Sequence, residues 1–407
     1  MQESISTKVT IESLNKYPDC VSLQLEAILV QSGADDAQQF DLYLTINFYE
    51  HWEPLLNGRV KLGLKGGELR LNLENGEITL ASEELSGSWA LAIEDRKVDE
   101  KSSNTENING EKIIQETNNL QSSYCQIFRA DSQSNHVWIF QVKTGESVLK
   151  GSLKSKKLGT VTVTGKPSRI QASFAIKSAD LSVTDAEGLW RHDIHPNQHA
   201  VLERKLALFL WEAKLKSALS RVQLCYECGP INREKEAVGN LSLAALDLPN
   251  LIQKITTSPI HDLLELAKMA EFNPLTDFAG GNLRGTTLDE IDLSNANLCR
   301  TNLRGVQLCD AELTDANLSG ANLGGADLSG ADLGNANLSN TDLHKASLAL
   351  ANLSGANLSN ADLREANFSN TNLGGAKVME ARFGKNVGIT EEIKVSLMER
   401  GAIFEEP

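Results

Sequence analysis

The sequence predicts a mainly β protein: an antiparallel β-sandwich or barrel-like domain, a helical connector, and a C-terminal right-handed, quadrilateral β-helix. Three observations carry this expectation. Apolar and polar residues alternate through much of the first 190 positions, which is the period of a half-buried strand. From about 191 to 276 the spacing lengthens to that of amphipathic helices. From Phe278 to Phe383 every fifth residue is large and apolar, 22 positions without a slip.

The five-residue period decides the C-terminal part. Eighteen of those positions are Leu, three are Phe and one is Val378, and the residue two places earlier is Ala in fourteen of them. Period five fits neither the 3.6 of a helix nor the 2 of a strand. A chain that turns a corner every five residues satisfies it. The Leu and the small residue before it point inward, and four units close a square of twenty. Stacked at ~4.8 Å, the squares make a rod roughly 26 Å tall. Four leucines fill each square, so the second inward residue has to be compact or the core is overpacked. Asn, Ser and Gly on the outside suit tight corners.

The run ANLSG-ANLGG-ADLSG-ADLGN-ANLSN (316–340) shows the pattern at its cleanest. It resembles the pentapeptide-repeat family, whose motif is A(N/D)LXX. The resemblance covers residues 278–383 and implies a fold, not a reaction, because function resides in sites rather than in the scaffold. The longer chain is similar to multidomain members of that family common in cyanobacteria. The segments that carry this are GELRLNLENGEITLASEELSGSW (67–89), HDLLELAKMAEFNPLTDFAG (261–280) and RGAIFE (400–405).

Ahead of the rod, residues 1–190 read as one antiparallel domain. Gly66-Gly67 predicts a hairpin joining Val60–Leu64 to Leu69–Leu73, and Asn75-Gly76 another leading to Ile78–Leu80. Residues 96–121 are polar and read as a mobile insertion. Strands resume at Tyr124–Phe128, Val137–Val142, Thr160–Thr164 and Ile170–Ile176. The connector, 191–276, is expected to hold an amphipathic helix over 198–222 and a second helical region over 247–272. There Ser258 is the expected N-cap, with Pro259 in the first turn, and the 259–272 helix would cover the rod's open first square. The rod is assigned to 277–386. Residues 387–407 form a helix, capped by Thr390 and ending at Gly401, and a short strand. Two roles fit that segment: a lid on the last square, or a homodimer seam, which the resemblance implies because C-terminal elements dimerise some family members.

Charge sets further expectations. With 39 Lys and Arg against 54 Asp and Glu, the net charge is −15, so direct nucleic-acid binding is not expected. The N-terminus shows no signal-peptide pattern. The longest apolar run, Leu206–Trp211, is far shorter than the ~20 residues of a membrane span. The six cysteines read as reduced thiols in a cytoplasmic protein.

Candidate chemistry is sparse. Cys225 and Cys228, with His195 and His199, are the weak metal candidates: one CxxC and nearby histidines could make a Cys2His2 zinc site. Paired CxxC elements and knuckle glycines are missing, and His195-Pro196 reads equally as a helix lead-in. Gly165-Lys166 fails as a phosphate loop, because Thr160 and Pro167 stand where the motif needs Gly and Ser or Thr. No HExxH or GxSxG occurs, so the chain reads as non-enzymatic, with no cofactor.

The rod's surface is the better candidate, since residues twenty apart share a face. The face of Leu283 carries Arg284, Arg304, His344 and Arg364, with Asp342 and Asp362 beside them. The next two faces carry Asp289, Glu290, Asp292, Asp310, Glu312, Asp315, Asp327 and Asp332. DNA presents one charge per ~1.7 Å of axis, so this corner can partly imitate a duplex. Some bacterial pentapeptide-repeat proteins bind type II topoisomerases in that way. The expectation is therefore an interaction or scaffold protein with an unknown protein partner. A DNA-mimicking topoisomerase regulator is the alternative, and a small zinc or redox module at Cys225/Cys228 the second.

Overall fold

The computed structural model describes residues 9–30, 38–81, 85–93, 122–132, 135–143, 146–227 and 247–405. The expected insertion at 96–121 lies outside the described residues, as does Cys228. The N-terminal unit contains β1 (Val9–Ser13), β2 (Val21–Val30), β3 (Gln39–Phe48), β4 (His51–Leu55), β5 (Gly58–Leu64), β6 (Gly66–Glu74), β7 (Gly76–Leu80), β8 (Gly87–Ala92), β9 (Ser122–Ser132), β10 (Asn135–Val142), β11 (Gly151–Val163), β12 (Ser168–Ala175), β13 (Leu181–Glu187) and β14 (Ser220–Tyr226). Eleven of them form one sheet in the order β1-β14-β12-β6-β10-β9-β8-β11-β3-β2, with β7 also on β11. The sheet curls until its ends nearly meet, and the Leu23 amide of β2 donates to the Ser220 hydroxyl of β14 at 3.1 Å. Strands β13, β5 and β4 make a second, small sheet. Of the two expected architectures, sandwich or barrel, the structure is the nearly closed barrel.

Period-two alternation explains why this sheet holds. Along β3, residues 40, 42, 44, 46 and 48 are buried while 39, 41, 43, 45 and 47 are not. The inward residues meet Phe140 and Phe174, and the rings of Phe48, Phe140 and Phe174 lie 5.5–5.9 Å apart in tilted and edge-on contacts.

Three sequence expectations are corrected here. Gly66-Gly67 does not turn a hairpin: β5 pairs with β4 and β13, whereas β6 pairs with β10 and β12. The glycines let the chain pass from one sheet to the other in a crowded place, since a Cβ on Gly67 would strike the Phe174 ring and one on Gly66 the Phe140 carbonyl. Asn75-Gly76 likewise redirects the chain: β7 leaves β6 and pairs with β11. The helix expected over 198–222 stops early. It spans α1 (Pro196–Leu210) and one π-helical turn, Trp211–Leu215, after which β14 enters the barrel between β1 and β12. The barrel therefore extends past residue 190.

Two further helices follow, α2 (Leu248–Thr256) and α3 (Leu263–Met269). The N-cap of α3 is Asp262, whose Oδ1 accepts from the Glu265 amide at 2.8 Å. Ser258 instead braces the loop before it, accepting from the Ile260 amide at 3.1 Å.

From Phe278 the chain coils with a twenty-residue repeat. Single-residue parallel bridges link Asn282 to Asn302, Asn302 to Asn322, Asn322 to Asp342 and so on to Arg382, in place of long strands. Of the 22 five-residue centres all but Leu373 are buried, and most residues two before them, such as Ala296, Ala316 and Ala336, line the same core. Each corner turns through a left-handed residue two places after the centre, most often Gly (Gly320, Gly325, Gly330) or Asn (Asn335, Asn340), elsewhere a side chain such as Arg300, Asp310 or Leu350. That requirement explains the Gly and Asn content of the outward positions. Residues of α1, α2 and α3, among them Val201, Ile255 and Leu266, share one apolar core with the first coils. At the far end α4 (Glu391–Glu399), capped by Thr390, packs Leu397 onto the core. There β15 (Arg382–Phe383) pairs in parallel with β16 (Ile403–Phe404).

Candidate binding cleft between barrel and solenoid

Helix α1 joins the two units. Its Ala200, Val201 and Leu202 belong to the solenoid core, while Leu206, Ala207, Phe209 and Leu210 belong to the barrel core. Between them lies a layer of buried charge. The Arg204 guanidinium donates to the Asp277 carbonyl at 2.5 Å and to the Ser178 carbonyl at 3.0 Å. The Lys65 ammonium, at the end of β5, donates to the carbonyls of Gly280 (2.8 Å), Arg300 (3.2 Å) and Gly281 (3.3 Å). Arg300 in turn pairs with the buried Asp180, and Asn282 donates to Glu203 at 2.9 Å.

Burial sets the acidities of this layer. It lowers the Lys65 ammonium to about 7, helped by neighbouring Arg204, and raises the Glu203 carboxyl to about 7. Each charge is tolerable in so dry a place because it is hydrogen-bonded. The approach is also sterically tight, because a Cβ on Gly280 would collide with the Ala179 carbonyl. Three carbonyls of the first two coils held by one barrel lysine make the seam a rigid joint rather than a flexible linker.

Beyond that joint the barrel and the solenoid diverge around a cleft of about 790 Å³. One wall is the solenoid face carrying Arg284, Arg304, Asn322, Asp342, His344, Asp362, Arg364 and Arg382. The other is contributed by Gln126 and Phe128 of β9, Gln141 of β10, Lys143, and Ser182 and Thr184 of β13. Seven Lys or Arg and four Asp or Glu line it, so the cleft is cationic in a chain of net charge −15. Arg364 is already engaged by Asp362, with an Nε to Oδ1 distance of 2.8 Å, and by Glu405. The hydrogen bonds to Asp362 raise the guanidinium's pKa above its ordinary value, so it stays charged. Asp342 is different: burial, with a smaller contribution from Asp362, raises its carboxyl above the ordinary range, and its Oδ1 accepts from the His344 amide at 3.0 Å.

The sequence-predicted residues fall into three groups. Arg284, Arg304 and Arg364 line the cleft. None of the eight carboxylates does. Asp292, Glu312 and Asp332 form one coil-to-coil ladder, with Asp327 on the ladder beside it. Several of these brace corners: Asp292 accepts from the Ser294 amide, Asp327 from Ser329 and Asp332 from Gly334. The metal candidates offer little. His195 caps α1, accepting from the Asn197 amide, and stacks on His261 at 4.3 Å. The His199 ring sits between the Trp190 indole N–H and the His192 carbonyl. Cys225 is buried on β14 and is disulfide-bonded, unlike the free Cys20, Cys125, Cys299 and Cys309.

Lys65, Arg204 and Lys143 were not singled out by sequence. Nothing local marks them; Lys65 merely follows an apolar run at a strand end. No helix among the described residues is long and apolar enough to cross a membrane.

Stacked five-residue corners around a Leu/Ala core define a repeat-protein solenoid. Residues 276–384 match the family model for pentapeptide repeats, in eight copies, and the chain belongs to that family. Similar solved structures include a pentapeptide repeat protein from the Arabidopsis thaliana thylakoid lumen, 32% identical, covering 31% of this chain and 79% of that one, with a TM-score of 0.22. Rfr23 from the cyanobacterium Cyanothece 51142 is 37% identical over 25% of this chain and 63% of its own, with a TM-score of 0.16. HetL from Nostoc, involved in heterocyst differentiation regulation, is 24% identical over 25% and 71%, with a TM-score of 0.12. No curated protein matches the chain.

Proposed function

We propose that the protein is a non-catalytic, cytoplasmic interaction or scaffold protein whose recognition surface is the cleft between barrel and solenoid. The observation that carries this reading is a cationic, two-walled groove held open by a buried joint in an otherwise acidic chain. Rigid elements on both sides favour preorganised binding, which lowers the entropic cost of association. This shifts the emphasis from either unit alone to the surface they share.

The test is partner capture with three full-length baits: the native chain, Arg284→Glu/Arg304→Glu in the cleft, and Asp292→Lys/Glu312→Lys on the acidic corner. A partner lost from the cleft variant and kept by the corner variant supports the proposal. The reverse, with a type II topoisomerase as the retained partner, would establish the duplex mimic instead. Turnover of a metabolite by the native chain would overturn the non-catalytic reading.

A homodimer through the C-terminal end is a second proposal. Met379, Val387, Val395, Met398 and Ile403 are all exposed there, and among the described residues β16 pairs on one side only. A second copy placed about a two-fold axis would cover the same patch on both chains. Light scattering of native protein and Val395→Glu/Met398→Glu would show a dimer converted to monomer; a native monomer at micromolar concentration would rule it out.

A further inference from the structure

Resting on the interaction reading above, we propose that the cleft binds an extended acidic polypeptide segment, with its acidic residues seated on Arg284 and Arg304. These two guanidiniums occupy equivalent positions one coil apart, about 4.8 Å in backbone spacing. Neither has an ion-pair partner among the described residues, and like charges stacked directly across a ladder are destabilising. Arg364, three coils further on, shows the satisfied form of the same position, forked onto Asp362 and Glu405. Arg284 and Arg304 lack such a fork, and a bidentate carboxylate is its natural complement.

The polarity then reverses along the groove. Asp342 lies two coils past Arg304 without an ion-pair partner among the described residues, and Arg382 ends the groove two coils beyond. A uniform polyanion such as nucleic acid would meet Asp342 and Asp362 midway. A peptide can match the alternation. At ~4.8 Å per coil and ~3.3 Å per extended residue, the groove takes about seven residues. A cationic side chain should follow the acidic pair by about three or four positions.

The experiment selects from a random nonapeptide library on the full-length chain, with Arg284→Gln/Arg304→Gln as the counter-bait. Both replaced side chains are exposed, and an unchanged Tm confirms the fold. The expected result is enrichment of paired Asp or Glu with a Lys or Arg three or four residues later. Affinity for the enriched peptide should drop at least tenfold on the variant. Enrichment indifferent to the variant, a consensus without acidic pairs, or no enrichment would overturn the acidic-segment assignment. So would displacement of the peptide by a dodecathymidine oligonucleotide at lower concentration than by unlabelled peptide. If cleft-dependent partner capture persists in any of those cases, the interaction reading stands and only the ligand class fails.

Discussion

The barrel and the solenoid solve the same problem, burying apolar side chains, at opposite ends of the range of sequence separation. In the solenoid every coil rests on the chain twenty residues away. In the barrel β1 pairs with β14, joining Val9 to Tyr226, and β3 pairs with β11 across more than a hundred residues. A repeat with nearest-neighbour contacts is quasi-one-dimensional, so damage should spread a coil or two. A sheet closed by its two ends should fail as a unit. The same contrast explains why one region can be read from its sequence and the other only in outline.

The largest expected effect comes from Leu328→Asp. It removes a fully buried side chain and places an uncompensated carboxylate in the core, where an unpaired charge costs several kcal/mol. Hydrogen exchange should show protection lost in the neighbouring coils while the barrel amides stay protected. Loss of protection throughout the chain would show that the solenoid and barrel unfold as one unit.

Phe174→Ala supplies the other half of the comparison. Its ring contacts Phe48 and Phe140, and truncation should cost about 3–5 kcal/mol. Exchange should accelerate across the whole barrel, from β1 to β14, rather than in one hairpin. Gly280→Ala probes the joint. The new methyl must displace the Ala179 carbonyl at a residue whose φ is +71°, a cost of about 1–3 kcal/mol. Small-angle scattering should show a wider angle or larger radius with both units folded; an unchanged profile would mean the seam is softer than its contacts indicate.

The smallest effect is a pH dependence. Burial raises the Glu203 carboxyl from its ordinary 4.5 to about 7. The folded protein therefore holds this proton longer than the unfolded chain, and stability is lost as pH rises from about 4.5 to 7. Glu203→Gln keeps an acceptor for Asn282, so its Tm should fall less than the native Tm between pH 5 and pH 7. Parallel curves would show that Glu203 does not titrate in that window.

The solenoid was legible because its period is a local statement: Leu at every fifth position and Ala two before it specify where each side chain points. The left-handed corner residues follow from the same register. The barrel was legible only as strands. Alternation through Phe40–Phe48 identifies a half-buried strand but not its neighbour, and Gly66-Gly67 has the composition of a turn whether the chain reverses or crosses between sheets. Val222 and Leu224 fit a helix face as readily as a strand face until β1 and β12 are in place on either side. Arg284, Arg304 and Arg364 could be placed on one face by arithmetic. That this face borders a cleft could not, because the opposite wall comes from β9, β10 and β13.

By itself, then, the sequence determined the stacked coil, its core residues, its exposed charges and the β character of the domain it placed at 1–190. All of these depend on periodicity within a few residues or one turn of twenty. Tertiary structure alone decided the strand order, the passage of β14 into the barrel, and the burial of Lys65 and Arg204 against solenoid carbonyls. It also decided which charged face became enclosed. Those outcomes depend on which distant segments meet, and short-range patterns leave long-range pairing to the competition among packed alternatives.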